Sequence, residues 1–292
     1  MFVIAGVTGN TGKVVAETLL AQKKPVRVIV RDAKKGEPWK AKGAEVAIAE
    51  LDDQKALTEA LRGAEGAYVL LPPNWTATDV LRDNKARAQT IANAVEAAGV
   101  KHVVLLSSIA AHLTSGTGPV LSAHDAEVAL GKTKADTTFV RAGYFMENIG
   151  SSLYALGEGK YPTFIELDRK IPMIATHDIG TVAAKALVEG GKGKRVIELE
   201  GPQQYSQRDV ATALSRLTKK TIEPQQGPES AMVGALTSAG VPAVWASLYQ
   251  EMTHALNTGV FTFEGKDATH VKGTTPLESV LEKLLASGAK AH

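Results

Sequence analysis

Three glycines spaced three residues apart, Gly6, Gly9 and Gly12, stand between an apolar run at residues 2–5 and a helix-period stretch at about residues 11–22. That context constrains the fold more than any other feature, because each glycine has its own task at a strand-to-helix turn. One permits the tight turn, one lets backbone approach a bound pyrophosphate, and one brings helix against strand. The helix N-terminus then offers unpaired N–H groups and the positive end of its dipole to a phosphate. A dinucleotide phosphate site is therefore expected at Gly6-Val7-Thr8-Gly9-Asn10-Thr11-Gly12, with Gly6, Thr8, Gly9, Asn10, Thr11 and Gly12 at the ligand.

The rest of the first half supports the same architecture. Strand-like apolar runs at residues 2–5, 26–30, 45–49, 67–71 and 102–106 alternate with helix-period stretches at about 11–22, 54–61 and 83–98. Such alternation marks βαβ units and a parallel sheet, and continuous apolar strands imply helices on both faces. The expected fold class is α/β, a Rossmann-type doubly wound parallel sheet with a smaller, mainly helical C-terminal lobe. Residues 1–150 are read as the NAD(P)-binding domain, with a return contribution from about 174–204, and most of 151–292 as the substrate lobe.

Beyond Ser108 a stretch rich in glycine, serine and threonine, Thr114-Ser115-Gly116-Thr117-Gly118-Pro119, reads as a mobile loop before a helix starting near Ser122. Later helices are signalled by caps: Ser206 with Asp209 three residues on, and Thr275-Pro276 with Glu278. Residues 228–258 read as helical and carry Trp245, Tyr249 and Met252.

Composition removes several function classes. The chain has no cysteine, so disulfides, thiolate metal sites and cysteine nucleophiles are excluded, and no metal site is expected. A net charge of +2, without a basic block, argues against nucleic acid as a partner. No apolar run approaches the ~20 residues of a membrane span, and the strand-like start at Phe2 leaves no secretory leader, so a cytoplasmic protein is expected. Asn74-Trp75-Thr76 matches a glycosylation sequon and reads as a chance match.

Cofactor choice turns on Arg31, directly after the second strand, where an NAD-selective site would place an acid on the ribose hydroxyls. An arginine there can pair with a 2′-phosphate, so NADP(H) is favoured over NAD(H). Asp32 argues the other way, and Lys34 and Lys35 read as a solvated charge run.

With this glycine turn, Val28-Ile29-Val30-Arg31, Leu70-Leu71-Pro72-Pro73 and Val103-Val104-Leu105-Leu106-Ser107-Ser108, the chain resembles the atypical short-chain dehydrogenases/reductases. The segment Val140-Arg141-Ala142-Gly143-Tyr144-Phe145-Met146-Glu147-Asn148 is similar to the NmrA-like branch, which includes NADPH-dependent quinone and dye reductases and cofactor-sensing regulators. The likeness extends through Asp178-Ile179-Gly180 to Val271-Lys272-Gly273-Thr274-Thr275. It implies Glu50 near the adenine, Leu71 and Pro72 under the adenosine and ribose, and Gly143, Tyr144 and Phe145 beside the nicotinamide. A plain core role is the competing reading for Phe145 and Met146.

The wider family uses Tyr-x-x-x-Lys, where one helical turn sets the lysine beside the phenol it activates. Here the residues four beyond Tyr68, Tyr144, Tyr154, Tyr161, Tyr205 and Tyr249 are Pro72, Asn148, Glu158, Ile165, Asp209 and Thr253. The standard relay is absent. His124, near the place of that tyrosine, is a candidate proton donor, and the alternative is a polar surface residue. Ser108 at a strand end and Tyr144 complete the catalytic candidates. Trp75, Tyr144, Asn148, Trp245 and Tyr249 are candidates for a substrate lining, with an ordinary core role as the alternative for each aromatic.

Two functions follow. One is an NADPH-dependent reductase of flat, electron-poor small molecules such as quinones, where alignment matters more than a tuned base. The other is a non-catalytic NAD(P) sensor acting through a protein partner. Assembly as a homodimer is compatible with either.

Overall fold

A computed structural model describes residues 1–288. The first half runs β1 (Phe2–Ile4), α1 (Asn10–Ala21), β2 (Val26–Val30), α2 (Ala33–Ala41), β3 (Glu45–Ile48), α3 (Gln54–Leu61), β4 (Gly66–Val69), α4 (Val80–Ala98), β5 (His102–Ser108), α5 (Leu121–Leu130) and β6 (Asp136–Ala142). After it come β7 (Tyr144–Phe145), a 3-10 segment (Met146–Glu158), β8 (Lys160–Thr163), β9 (Ile171–Ile174), α6 (Thr176–Glu189) and β10 (Lys194–Glu200). The chain then continues through β11 (Gln204–Tyr205), α7 (Gln207–Thr218), β12 (Glu223–Gln226), α8 (Met232–Ser238), α9 (Ala243–Thr258), β13 (Ala268–Lys272) and α10 (Leu277–Ala286).

The main sheet has eight strands in the order β13-β10-β6-β5-β4-β1-β2-β3, and every pairing is parallel. Side chains alternate along each strand, so the sheet feeds two cores. Ile4, Val28, Val104 and Val140 meet Val15 and Leu19 of α1 and Ile179 and Ala183 of α6 on one face. Val3, Ile29, Val103 and Leu105 meet α3, α4 and α5 through Leu57, Ile91, Val95 and Leu130 on the other. This is the doubly wound Rossmann arrangement. A third core, around Met146, Tyr161, Val210, Leu256 and Leu281, belongs to the smaller lobe, whose small sheets are β11-β9-β7 and β12-β8. No helix among the described residues is long and apolar enough to cross a membrane.

Several local readings change. Lys34 and Lys35 are exposed, in keeping with a solvated charge run, but they stand on a helix, α2, capped by the Asp32 carboxylate accepting from the Lys34 N–H at 2.9 Å. Residues 228–258 are two helices, because Gly240 at φ +90° and Pro242 interrupt the run before α9. The Ser206–Asp209 capping box forms. At α10, by contrast, the Thr275 hydroxyl is taken by Asp178 at 2.7 Å and caps nothing. The main sheet also draws on the second half twice, since β10 pairs with β6 and β13 pairs with β10.

Helix α6 closes on α1 by backbone contact, because a Cβ placed at Gly180 would stand 2.5 Å from Val14 Cβ and 2.9 Å from the Thr11 carbonyl oxygen. Gly234, inside α8, has nothing within 4 Å of the same position. Gly180→Ala is therefore expected to destabilise the fold by about 1–3 kcal/mol through overpacking, even though alanine is the better helix former. Gly234→Ala should stabilise by about 0.5–1 kcal/mol. Urea unfolding midpoints at unchanged slope measure both, and a stabilised Gly180→Ala would contradict the packing.

Candidate active site

The glycine turn divides its three tasks as sterics require. Gly6 has φ +70°, a left-handed conformation, and lies against the Leu70 side chain. A Cβ on Gly12 would meet the Gly6 carbonyl oxygen at 2.5 Å and that of Ala5 at 2.6 Å, so helix and strand touch through backbone. At Gly9, φ is −99°, and a Cβ would meet only the Gly6 oxygen, at 3.4 Å. The space in front of Gly9 is thus open, beside the exposed Thr8 and Asn10.

Gly9 is the N-cap of α1 and brings no side-chain cap. The N–H groups of Asn10, Thr11 and Gly12 consequently have no acceptor among the described residues. Three donors and a dipole end facing an open space suit an anion. The Thr11 side chain does not share in this: it is buried and accepts a hydrogen bond from the Tyr68 hydroxyl at 2.9 Å. Only its backbone faces the turn.

Arg31 and Glu50 emerge side by side at the carboxyl ends of β2 and β3, joined just below by the Ala49 N–H donating to the Val30 oxygen at 3.1 Å. Both are exposed, and Arg31 makes no hydrogen bond or ion pair with the described residues. Asp32 is spent on the α2 cap. Leu71 and Pro72 lie half-buried beyond the end of β4.

Aromatic side chains gather at the loop after β4. Trp75 and Trp245 have ring centroids 5.1 Å apart, and Tyr249 lies 5.7 Å from Trp245 and 6.5 Å from Trp75. The Trp245 indole N–H donates to the Asn74 carbonyl at 2.9 Å, pinning α9 to the loop after β4. Asn74 folds its own side chain onto the Thr76 N–H and hydroxyl, at 3.2 and 2.8 Å, which gives the sequon a turn-forming role. Trp245 is buried, whereas Trp75 is 42% exposed and offers a ring face.

Tyr144 belongs to β7, pairs with Met173, and directs its hydroxyl toward the Asn148 side chain. Burial pushes the Tyr144 hydroxyl up to about 12, and the hydrogen bond with Asn148 opposes the shift. Gly143 before it approaches the Pro172 carbonyl so closely that a Cβ would lie 2.6 Å away. Phe145 packs half-buried on the α1/α6 core, and Met146 is fully buried, so Met146 is a core residue.

The remaining candidates part company. Ser108 is half-buried at the end of β5, and its hydroxyl makes no hydrogen bond with the described residues. His124 lies on α5, its Nδ1 donating to the Ala111 carbonyl at 2.9 Å. It lines a cavity that contains neither the glycine turn, nor Tyr144, nor the tryptophans.

One constellation escaped the sequence altogether. Glu127 of α5 accepts from the Ser107 hydroxyl at 2.5 Å and from Arg141 Nε and Nη2 at 2.9 and 2.7 Å, while Arg141 Nη1 reaches Glu264 at 2.6 Å. Burial works against the Arg141 charge, but its hydrogen bonds and ion pairs with Glu127 and Glu264 outweigh it and raise its pKa. The residues are 14 and 123 positions apart in sequence, so no spacing signals the cluster. Ala110, fully buried at φ +65°, turns the chain just after β5 without a glycine to announce it.

Residues 1–278 match the model of the NmrA-like family. The chain is 28% identical over 264 residues to the NAD(P)H azoreductase of Xenophilus azovorans, covering 86% of each protein. It is likewise 28% identical to quinone oxidoreductase 2 of Escherichia coli, over 96% of this chain and 97% of that protein. The crystal structure of the Escherichia coli NADPH-dependent quinone oxidoreductase complexed with NADPH superposes with a TM-score of 0.84, covering 98% of this chain and 100% of that one. The triphenylmethane reductase of Citrobacter sp. complexed with NADP(H) shares the fold at a TM-score of 0.81 and 21% identity, covering 97% of this chain and 100% of its own.

A phenol held near 12 stays protonated, and able to donate, well above neutral pH. Titrated by phenolate absorbance, wild type and Tyr144→Phe should coincide up to about pH 10, where an unperturbed tyrosine is half ionised. A wild-type excess of phenolate at that pH would show that the Tyr144 hydroxyl is not shielded.

Proposed function

The chain belongs to the NmrA-like family, and on that premise we propose that it is an NADPH-dependent reductase of quinone-like or other flat, electron-poor small molecules. The observation that carries this reading is the full-length likeness to a quinone oxidoreductase. The open space before Gly9 and the exposed ring of Trp75 would supply what such a reaction needs.

The dinucleotide fits the residues present. Asn10, Thr11 and Gly12 would hold its pyrophosphate through backbone N–H groups, and Gly9 leaves the room for it. Arg31, exposed and without an ion pair among the described residues, would meet a 2′-phosphate, with Glu50 near the adenine and Leu71 and Pro72 beneath the adenosine. Gly143, Tyr144 and Phe145 would border the nicotinamide. When bound, NADPH supplies the hydride.

Trp75 and Tyr249 would stack a planar acceptor, while the buried Trp245 stiffens the wall behind them. The Tyr144 hydroxyl, kept neutral, would donate a hydrogen bond to the acceptor oxygen, with Asn148 orienting it. Ser108 offers a second hydroxyl at the end of β5. His124 lines a different cavity and takes no part in this scheme. In this division of labour residues 1–150 and about 174–204 serve the cofactor, most of the remainder forms the substrate side, and the reaction is cytoplasmic.

Gly9→Val should fold normally, since its backbone is extended, yet abolish NADPH binding by filling the anion space. Arg31→Ala should weaken NADPH roughly ten- to a hundredfold and NADH far less. Calorimetry reads both, and equal losses for the two cofactors would remove Arg31 as discriminator.

A panel of quinones, azo dyes and imines with NADPH tests the chemistry. Turnover is expected, with His124→Ala losing far less than the roughly 10²–10⁴-fold of a required proton donor. Tyr144→Ala should raise KM. Tight NADPH binding with no acceptor reduced would favour the sensing alternative with its protein partner.

A further inference from the structure

Helix α9 crosses two strand-end loops, and it meets them by different means. Its first half packs on the loop after β4 and the start of α4, where Trp245 lies with Ala77 and Val80 and donates its indole N–H to the Asn74 carbonyl. Its second half brings Ala255 and Leu256 into the core of the smaller lobe, beside Ile109 and Val120 of the loop after β5. Residues 114–119 of that loop, expected to be mobile, divide accordingly. Residues 114–116 are exposed, whereas Thr117 and Gly118 are buried.

Gly118 makes its contact with no side chain at all. It holds φ +57°, and a Cβ there would collide with the Leu248 carbonyl oxygen and stand 3.1 Å from the Met252 nitrogen. Loop and helix therefore meet through backbone, midway along α9. Gly116, two residues earlier at φ +74°, has nothing within 4 Å of the same position. Left-handed backbone accounts for Gly116, while Gly118 is also required by what stands in front of it.

Trp245, Leu248, Tyr249 and Met252 follow one another at helical spacing, so they share one face of α9. Trp245 and Tyr249 on that face are the rings that stand 5.1 and 6.5 Å from Trp75. The face that Gly118 touches is thus the face that presents the aromatic wall. Main chain packed on main chain has no flexible end to give, so a methyl group at Gly118 would shift α9 itself rather than one side chain.

We propose that Gly118 is a positioning residue of the acceptor site. By lacking a side chain it sets how closely α9 lies on the loop after β5, and so where Tyr249 stands relative to Trp75. This rests on the reading of Trp75 and Tyr249 as the rings that stack a planar acceptor. Gly118 acts only through α9, and none of the residues assigned to the dinucleotide takes part in the contact.

The test compares Gly118→Ala with Gly116→Ala in the full-length protein. Both place alanine on left-handed backbone and share that strain, but only the first adds the collision with α9. In Gly118→Ala the near-ultraviolet circular dichroism of the Trp75–Trp245 pair should change. Its KM for menadione should rise about three- to tenfold, the worth of a lost aromatic stack, while NADPH affinity by calorimetry stays within about twofold of wild type. Gly116→Ala should match wild type in all three. In a Tyr249→Ala background, Gly118→Ala should add less than about twofold to KM, because the ring it positions is already gone. Hydrogen exchange of the wild-type protein gives a reading that needs no variant: residues 117–120 and 245–252 should open as one unit, more slowly than 114–116. Unchanged KM or dichroism in a folded Gly118→Ala, an equal effect from Gly116→Ala, the full loss repeated in the Tyr249→Ala background, or separate opening of the two segments would each overturn the proposal alone. A wild-type protein that binds NADPH and reduces no acceptor would overturn it together with the reductase reading.

Discussion

The structure rests on two places where backbone meets backbone because a side chain is missing. At Gly12 the first turn of α1 lies on the carbonyls of Ala5 and Gly6, and at Gly180 the first turns of α6 lie on Thr11 and Val14. A methyl group at either would have to displace main chain or a β-branched side chain in a densely packed region, which has little room to give. The N-terminus of α1 is therefore held from below by the sheet and from the side by α6. The N–H groups of Asn10, Thr11 and Gly12, without an acceptor among the described residues, stand on this braced turn.

That arrangement makes the second half of the chain part of the first half's site. Helix α6 is itself held by acids that reach across the fold. Glu147 accepts from the Thr176 N–H at 2.9 Å and its hydroxyl at 2.6 Å, capping a helix whose own N-cap residue, Ala175, has no side chain to do so. Asp178, buried one turn in, accepts from the Thr275 N–H and hydroxyl at 2.9 and 2.7 Å and ties the approach to α10 to the same spot. The smaller lobe, α6 and the approach to α10 thus share one corner. Glu147 is three residues from Tyr144, so the lobe and the turn are braced together through a few hydrogen bonds.

The Ser107–Glu127–Arg141–Glu264 cluster performs a comparable task on the sheet face that carries α5. It fastens the carboxyl ends of β5 and β6 to α5 and to the segment before β13. A buried arginine of 7% exposure persists only because its donors are met, since an unpaired guanidinium there would be strongly unfavourable. The cluster takes Ser107 out of the pool of available hydroxyls and leaves Ser108, pointing to the opposite face, as the serine open to chemistry.

What the amino-acid sequence determined by itself is local and periodic. Glycine spacing at a strand-to-helix junction announces the turn, where Gly6 takes a left-handed conformation, Gly12 lets backbone meet backbone, and Gly9 leaves the space before it open. Alternation of apolar runs with helical periods announces the parallel sheet, and the Ser206–Asp209 box announces its helix. Arg31 stands out by its place directly after the second strand, and Glu50 through the family resemblance; both are exposed at neighbouring strand ends. What only the tertiary structure decided depends on residues far apart in sequence. Thr11 is turned inward by Tyr68, Thr275 is diverted from capping by Asp178, and the buried pair of Glu127 and Arg141 forms across 14 residues. His124, plausible by position along the chain, faces another cavity because α5 presents a different side to the sheet's end. Spacing records which side chains can share a helix face or a strand face; which of them share a cavity is settled only when separate elements pack and each polar group takes the partner that burial brings within reach.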